Sequence, residues 1–325
     1  MCPNAQLTGL HSRSEDLIEL TRSYDRGRAS WAEVESRLRL ETHQLVQLQD
    51  DLGFEYVSDG ALSWQDPLRP VTKSLTGISA GTRYSRWFDT NTFYQKPVVT
   101  GKISLDGFKA EDFLQDSILP KTKKWKLSIP GPYTFSELSE NKFYRSKDEL
   151  LLDVAQAERD IIKNLVQAGV SLIQLSEPCL VYRPYREEAA SPSEIDLALK
   201  AIRHTAEGIQ TKLLVQTFFG DATGLLPKLL ELPVNAIGFD LYETDCTRLQ
   251  IKTSKELVLG IVDSRESNVE DPKWIAETAT SVRKHVKTPT VALSPNSDLK
   301  FLPRSAADRK ATALSQGAKI LEEYG

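Results

Sequence analysis

Short apolar runs that end in polar residues alternate along most of the chain with longer segments of helical periodicity. The stretch KLLVQTFFGD shows the pattern: Leu213, Leu214 and Val215 are typical of a buried strand, and polar, aromatic and turn-forming residues follow directly from Gln216 to Asp221. Amphipathic helices are predicted over about 147–168, 191–209, 272–286 and 304–323. The chain therefore reads as a repeating strand and helix unit.

The number of these units predicts a closed barrel. With AQLTGL (5–10) as the first strand, the pattern contains eight strands, most of them separated by helices. Alternation of this kind predicts a parallel sheet, and eight repeats favour a (β/α)8 TIM barrel over an open doubly wound sheet. No Gly-x-Gly-x-x-Gly follows a strand, which weakens the dinucleotide-binding alternative.

Two stretches depart from the repeat. Residues 14–52 form a helical segment, which DRGRAS (25–30) splits in two, with Ser14 and Ser30 as N-caps. Residues 82–105 form an aromatic-rich, hairpin-like excursion, and RYSRWFDTNTFY within it is expected to pack over the barrel mouth. We interpret residues 1–325 as a single decorated barrel.

Composition and charge exclude several classes of protein. The 325 residues carry a net charge of -4, so no global basic field attracts nucleic acid or an anionic membrane. No apolar run approaches the roughly 18–20 residues of a spanning helix, and the N-terminus lacks the features of a signal peptide. Three scattered cysteines, Cys2, Cys179 and Cys246, are typical of free thiols in a reducing compartment. The expected location is the cytoplasm.

The strand ends supply the candidate site. In a barrel of this class the carboxyl ends of the strands line the binding face, and a ring of carboxylates, amides and hydroxyls there suits a small polar molecule. The candidates are Asp59, Ser128, Ser176, Glu177, Gln216, Asp221, Asp240, Glu243, Asp263, Arg265, Ser294 and Asn296.

Three of these carboxylates, Glu177, Asp240 and Asp263, are the candidates for acid–base catalysis. Two of them also have a structural interpretation. Glu177, held extended before Pro178, is equally suited to capping a neighbouring helix, and Asp263 with Arg265 is typical of a structural ion pair. IPGPYTF (129–135) either brings backbone close to a ligand or forms a rigid turn.

Metal chemistry has little support in the sequence. His11, His43, His204 and His285 have no cysteine or second histidine at ligand spacing. The remaining alternative is a zinc site built from Cys179 and Cys246 with oxygen ligands. We therefore predict no metal ligands and no tightly bound cofactor.

Several motifs together resemble one family. SRWFDTNTFYQKPVV, LIQLSEPCLV, LLVQTFFGD, LPVNAIGFDLYE and LVLGIVDSRES look like the N-terminal barrel of cobalamin-independent methionine synthase, in the right order and over most of the chain. The resemblance implies a (β/α)8 barrel of the methionine synthase and uroporphyrinogen decarboxylase type. It also implies methyl transfer from methyltetrahydrofolate to homocysteine, with zinc in the C-terminal barrel and folate contacts in the metal-free N-terminal barrel.

The positions that carry chemistry in that family differ here. By the resemblance, the zinc ligands fall on Gln216, Phe218, Asp240 and Ser297. Only Asp240 among them is a good zinc ligand. The family's grip on the homocysteine amine falls on Ser176, and its folate-stacking tryptophan falls on Leu138. The family's Gly-Ser and Gly-Glu pairs become Gly9-Leu10 and Gly60-Ala61.

The resemblance thus implies a stand-alone counterpart of the archaeal type that works in methionine biosynthesis beside a separately encoded zinc-bearing half. Two alternatives stay open: an independent decarboxylase- or methyltransferase-like barrel enzyme that uses the rim carboxylates, and a ligand-sensing barrel. The expected substrate contacts are Asp59, Arg86, Lys96, Lys126, Ser176, Gln216, Asp221, Arg265 and Asn296.

Overall fold

A computed structural model describes residues 4–115, 121–183, 190–248 and 250–324. Its α-helices are α1 (Glu15–Asp25), α2 (Trp31–Asp51), α3 (Arg69–Lys73), α4 (Pro132–Leu138), α5 (Lys147–Gln167), α6 (Pro192–Ala206), α7 (Leu226–Leu229), α8 (Pro272–Arg283) and α9 (Arg304–Glu323). Its strands are β1 (Tyr56–Val57), β2 (Leu75–Arg86), β3 (Phe93–Leu105), β4 (Lys124–Pro130), β5 (Glu140–Asn141), β6 (Val170–Ser176), β7 (Lys212–Gln216), β8 (Ala236–Asp240), β9 (Ile251–Lys252), β10 (Glu256–Val262), β11 (Val286–Lys287) and β12 (Val291–Pro295).

The main sheet is a closed parallel barrel. Seven strands lie in the order β1-β4-β6-β7-β8-β10-β12, and every neighbouring pair is parallel. The N-terminal segment, residues 4–11, takes the place of an eighth strand and closes the ring; we call it the closing stave. Ala5 bridges Leu293 in parallel, and the backbone N–H of His11 donates to Gly60 O. The predicted (β/α)8 barrel is confirmed.

Alternate residues of each strand face opposite sides of the barrel wall. Ile173 and Leu175 of β6 belong to the large core outside the wall. Leu172 belongs instead to a separate cluster with Leu214, Ala236 and Val258. That second cluster lies inside the barrel and forms an apolar floor.

Above this floor the inward-facing positions are polar. We call this region the polar chamber; its buried residues are Gln6, Thr8, Lys126, Ser128, Gln174, Ser176, Gln216 and Ser294. TIM-barrel interiors are normally packed with bulky aliphatic side chains. The polar chamber is therefore a special feature of this barrel, and it leads to the carboxyl ends of the strands.

The helical segment at 14–52 contains α1 and α2. The side chain of Ser14 accepts from the backbone N–H of Leu17, and Ser30 forms a capping box with Glu33, as the sequence pattern predicts. Helix α2 then fixes the β1 region, because the amide of Gln49 both donates to Ser58 O and accepts from Ser58 N. No helix within the described residues is long and apolar enough to cross a membrane.

The aromatic excursion is a long antiparallel arm formed by β2 and β3. It begins at Leu75 and not at residue 82, so it is longer than the sequence indicates. The middle of β3 also forms two parallel pairs with β5, at Val98 and Val99. Its tip is a tight turn in which the backbone N–H of Trp87 donates to Thr92 O.

Candidate functional site

Gln216, at the end of β7, reaches across the barrel. Its amide nitrogen Nε2 lies 3.2 Å from Asn296 O and 3.5 Å from Pro295 O, both at the end of β12. The strand beside β7 leaves room for this path, because a Cβ at Gly238 would lie only 3.0 Å from Gln216 Cγ. The side chain is fully buried. Gln216 thus forms part of the top of the polar chamber.

Asp240, at the end of β8, anchors two loops. Its carboxylate accepts from the backbone N–H of Phe219 at 3.2 Å and of Tyr242 at 2.9 Å, and from Asn296 Nδ2 at 3.3 Å. Burial raises the pKa of Asp240 to about 6. The arrangement holds the loops after β7 and β8 against the end of β12.

The next strand ends in a charged cluster. Asn296 Nδ2 also donates to Asp263 Oδ1 at 3.1 Å. Arg265 places Nε 3.3 Å from Asp263 Oδ1 and Nη1 2.8 Å from Glu243 Oε1. The structural ion pair between Asp263 and Arg265 is therefore present, and it extends to Glu243.

A buried pair that the sequence did not suggest supports this cluster from behind. Lys310 of α9, fully buried, donates to both oxygens of Glu270 at 2.9 and 2.8 Å. Glu270 Oε1 in turn accepts from the backbone N–H of Asp263 at 2.8 Å. A lysine on an amphipathic helix gives no signal of such burial, so sequence reasoning missed it.

Glu177 has the contacts of a helix cap. Its Oε1 and Oε2 accept from the backbone N–H groups of Tyr133 at 3.0 Å and Thr134 at 2.7 Å, at the start of α4. A Cβ at Gly131 would lie 2.4 Å from Oε1, so the Pro-Gly-Pro turn fits closely around the carboxylate. Burial raises the pKa of Glu177 to about 7. Of its two sequence interpretations, these contacts favour the cap; a catalytic role for Glu177 stays a prediction.

Aromatic rings from the arm tip and from the loops after β6 and β7 cover the barrel mouth. The Phe88 ring lies 5.5 Å from that of Phe219, 6.4 Å from that of Phe218 and 6.2 Å from that of Tyr182, measured between centroids. The Tyr182 hydroxyl also donates to the carboxylate of Asp89. Phe88 and Phe219 both have positive φ, 48° and 70°. We call Phe88, Tyr182, Phe218 and Phe219 the aromatic cap.

The other predicted site residues lie in different parts of the molecule. Asp59 is buried and accepts from the backbone N–H of Ala61 and Gln115, and Lys126 Nζ donates to Leu7 O at 2.6 Å inside the barrel. Asp221 is exposed and accepts from Thr223 N. Arg86 and Lys96 belong to the arm and not to the barrel wall.

Ser128 and Ser176 form part of the chamber wall. Their hydroxyl oxygens lie 3.0 Å apart, and Gln174 Nε2 donates to Ser176 Oγ at 3.1 Å. Ser294 donates to Pro295 O at 2.8 Å. The structure therefore brings Ser128, Ser176, Gln216, Asp240, Asp263, Arg265 and Asn296 to one end of the barrel.

The four positions aligned with the family's zinc ligands do not fit a zinc ion. Gln216 and Asp240 have the contacts described above, Phe218 belongs to the aromatic cap, and Ser297 Oγ lies 2.6 Å from Ser264 Oγ. An amide, a phenyl ring, a hydroxyl and one carboxylate do not make the nitrogen and sulfur set that zinc prefers. Within the described residues no three His, Cys, Asp or Glu side chains form a group that could hold a metal.

The two described cysteines are also poor zinc ligands. Burial raises the pKa of Cys246 to about 11 and that of Cys179 well above its usual value, which disfavours the thiolate that binds metal. Cys2 lies outside the described residues.

Fold and mouth together define a TIM-barrel protein with a polar interior and loop-borne side chains at the carboxyl ends of its strands. Residues 76–287 match the model of the cobalamin-independent synthase family, N-terminal domain. The chain belongs to this family, as its motifs predicted.

Relatives agree with this assignment, and solved structures are similar in fold. The methionine synthase of Sulfurisphaera tokodaii is 26% identical over 318 residues, which cover 97% of this chain and 91% of the relative. That of Saccharolobus solfataricus is 26% identical over 320 residues, covering 97% and 93%. In fold, the chain is similar to a B12-independent methionine synthase from Shewanella sp. W3-18-1 in complex with selenomethionine. That similarity has a TM-score of 0.81 at 20% identity and covers 100% of this chain and 98% of the other. A methyltransferase from Methanosarcina mazei aligns with a TM-score of 0.62 at 14% identity, covering 99% and 94%.

Proposed function

We propose that this chain takes part in methionine formation as a barrel without a metal of its own, acting beside a separate zinc-bearing barrel. The observation that carries the proposal is that the four side chains aligned with zinc ligands make contacts within the protein. Gln216, Asp240 and Ser297 are engaged in hydrogen bonds within the protein, and Phe218 packs in the aromatic cap. In this proposal thiolate activation belongs to the partner, and this chain contributes binding.

The proposed ligand of this chain is methyltetrahydrofolate, whose acidic tail requires cationic partners. The arm suits that role, since residues 75–105 contain Arg83, Arg86, Lys96 and Lys102 against Asp89 alone, a net charge of +3 in a chain of net charge -4. Guanidinium and ammonium groups bind carboxylates through charge-assisted hydrogen bonds. Arg86 and Lys96 are therefore the residues proposed to bind the tail.

The deciding experiment measures methionine production from homocysteine and methyltetrahydrofolate. Three samples are compared: this chain alone, a zinc-bearing methionine synthase barrel from the same genome alone, and the two together. The proposal predicts production above the sum of the separate samples only in the mixture. Equal production with and without this chain would overturn it.

Two further measurements separate the parts of the proposal. Arg86→Gln with Lys96→Gln should raise the KM for methyltetrahydrofolate in the mixture, whereas Lys163→Gln, on the exposed face of α5, should leave it unchanged. Metal analysis of the purified chain should find no stoichiometric zinc. Turnover by this chain alone, lost in Asp263→Asn, would point instead to an independent enzyme that uses the rim carboxylates.

A further inference from the structure

The polar chamber contains acceptors that the protein itself does not satisfy. Gln6, Gln174 and Gln216 are buried, with exposed fractions of 3%, 0% and 0%. Within the described residues the side-chain oxygen of each has no hydrogen-bond partner. Buried polar groups in native proteins nearly always have partners, so these oxygens indicate an occupant that the protein atoms do not provide.

The orientation of the Gln216 amide follows from its neighbours. Its nearest partners across the barrel are the backbone carbonyls of Pro295 and Asn296, which can only accept. The NH2 end must therefore point at β12, and Oε1 is left as an acceptor in the chamber. On the neighbouring strand β6, the Gln174 amide nitrogen donates to Ser176 Oγ. Gln174 Oε1 is therefore also left as an acceptor without a partner among the described residues.

The side chains of Gln174 and Gln216 belong to one connected polar layer. Ser176 and Gln216 are directly paired across β6 and β7, and Ser176 Oγ contacts Ser128 Oγ on β4. Ser128 in turn faces the closing stave, where a Cβ at Gly9 would lie 3.1 Å from its hydroxyl oxygen. The layer therefore continues around much of the barrel, between the apolar floor and the aromatic cap.

The donor set limits the class of occupant. Amide and hydroxyl oxygens are hard, neutral ligands, and rings of such neutral oxygens replace the hydration shell of potassium in channel filters. Divalent magnesium or calcium normally requires carboxylates. One buried carboxylate, Asp298, borders the polar chamber, but it already accepts from the backbone N–H of Leu10 and interacts with the side chain of Thr8 and the charge of Lys126. A single carboxylate that is already engaged does not make the set that a divalent ion requires.

We propose that the polar chamber binds one monovalent cation of the potassium or ammonium class, with the side-chain oxygens of Gln174 and Gln216 as its ligands. Gln6 and the hydroxyls of Ser128 and Ser176 complete the oxygen lining. The aromatic cap shields the ion from solvent. The test of this site requires neither methyl transfer nor a partner barrel.

Lys126 is the internal competitor for this cation. Its ammonium group lies in the same barrel interior, where the charges acting on it come from Asp298, Lys212 and Glu256. Burial lowers the pKa of Lys126 to about 7, and burial raises that of Asp298 to about 6. As pH rises from 6 to 8.5, Lys126 loses its positive charge and Asp298 becomes negative, so cation binding should strengthen.

Thermal unfolding tests the site. Tm is measured at pH 8.5 in potassium chloride and in N-methyl-D-glucamine chloride at equal ionic strength, because a ligand that binds only the folded state raises Tm with concentration. We expect a saturable rise of a few degrees in potassium or ammonium, and a smaller rise at pH 6. Gln174→Leu should abolish the rise, whereas Gln47→Leu, an exposed glutamine on α2, should keep it.

Crystals of the unmodified protein grown with rubidium give a second readout that does not depend on a variant's folding. An anomalous peak bonded to the side-chain oxygens of Gln174 and Gln216 would support the proposal. Water density there with no anomalous peak, identical Tm values in the two salts, or a rise that persists in Gln174→Leu would each overturn it.

Discussion

Glu158 shows how burial sets the chemistry of a single residue. It lies on the inner face of α5, fully buried, and within the described residues neither carboxylate oxygen has a hydrogen-bond partner. Burial, with a smaller contribution from the charge of Glu177, raises the pKa of Glu158 well above its usual value. Burial therefore favours the protonated form of this side chain in the folded protein.

In the unfolded chain, Glu158 ionises near its ordinary pKa. Above that pH the unfolded chain therefore binds fewer protons than the folded protein does. The stability contribution is complete below the unfolded pKa and is lost as pH rises toward the raised folded value. Glu158→Gln should remove this dependence and flatten the fall in unfolding free energy between pH 5 and 8 by up to about 1.4 kcal/mol per pH unit. Urea denaturation across this range measures it.

Glu35→Gln is the matched control, because Glu35 lies on the exposed side of α2. It should leave the slope as it is. If Glu158→Gln also left the slope unchanged, the buried carboxyl would not be protonated in the folded state.

At the scale of elements, the arm is what closes the barrel mouth. Strand β3 buries Tyr94 against Trp87, as well as Val99 and Ile103. Most of β2 beyond Ile78 is exposed, including Tyr84. At the tip the chain turns so that Phe88, only 2% exposed, enters the aromatic cap with φ of 48°. A left-handed conformation at a phenylalanine carries strain that packing must offset.

Substitutions at Phe88 separate packing from strain. Phe88→Ala removes the ring and keeps the left-handed residue, and it should lower the unfolding free energy by about 3–5 kcal/mol. Phe88→Gly removes the same ring and also the strain, so it should be less destabilising than Phe88→Ala by on the order of 1 kcal/mol. Chemical denaturation of both variants gives the comparison. A glycine variant less stable than the alanine variant would show that the backbone at Phe88 is unstrained.

At the scale of the whole molecule, the fold depends on one closing stave. The N-terminal segment meets β12, the last strand of the sheet, through Gln6 N donating to Leu293 O and Leu293 N donating to Asn4 O. The hydroxyl of Thr8 donates to Ser297 O, and the backbone N–H of Leu10 donates to Asp298 Oδ1. These bonds join segments almost 290 residues apart in sequence.

A proline at the closing stave tests this dependence. Gln6→Pro removes the backbone N–H that pairs with Leu293, and it should lower the unfolding free energy by more than about 2 kcal/mol beyond Gln6→Ala, which keeps that N–H. Both variants lose the glutamine side chain, so the difference between them reports the effect of proline on the backbone. Equal stability of the two would mean that the barrel does not need this pairing to stay closed.

The local pattern of the sequence determined the barrel. Eight apolar runs with polar ends, the caps at Ser14 and Ser30, and the spacing of the amphipathic helices are properties of neighbouring residues, and the structure has them at those places. The motifs also determined the family, because WFDTN and the strand ends are contiguous segments. The start of the arm was misplaced because its first strand begins in LTGIS, where the alternation is weak.

Only the tertiary structure decided what the polar strand ends do. Glu177 caps the start of α4, and the Gln216 side chain reaches across the barrel to β12. Lys310 binds Glu270, which in turn accepts from the backbone N–H of Asp263. The partners in each case come from segments distant in sequence, and no periodicity encodes them. Strand geometry determines which residues face inward, but barrel closure determines which of them meet, and that closure created both the polar chamber and its cap.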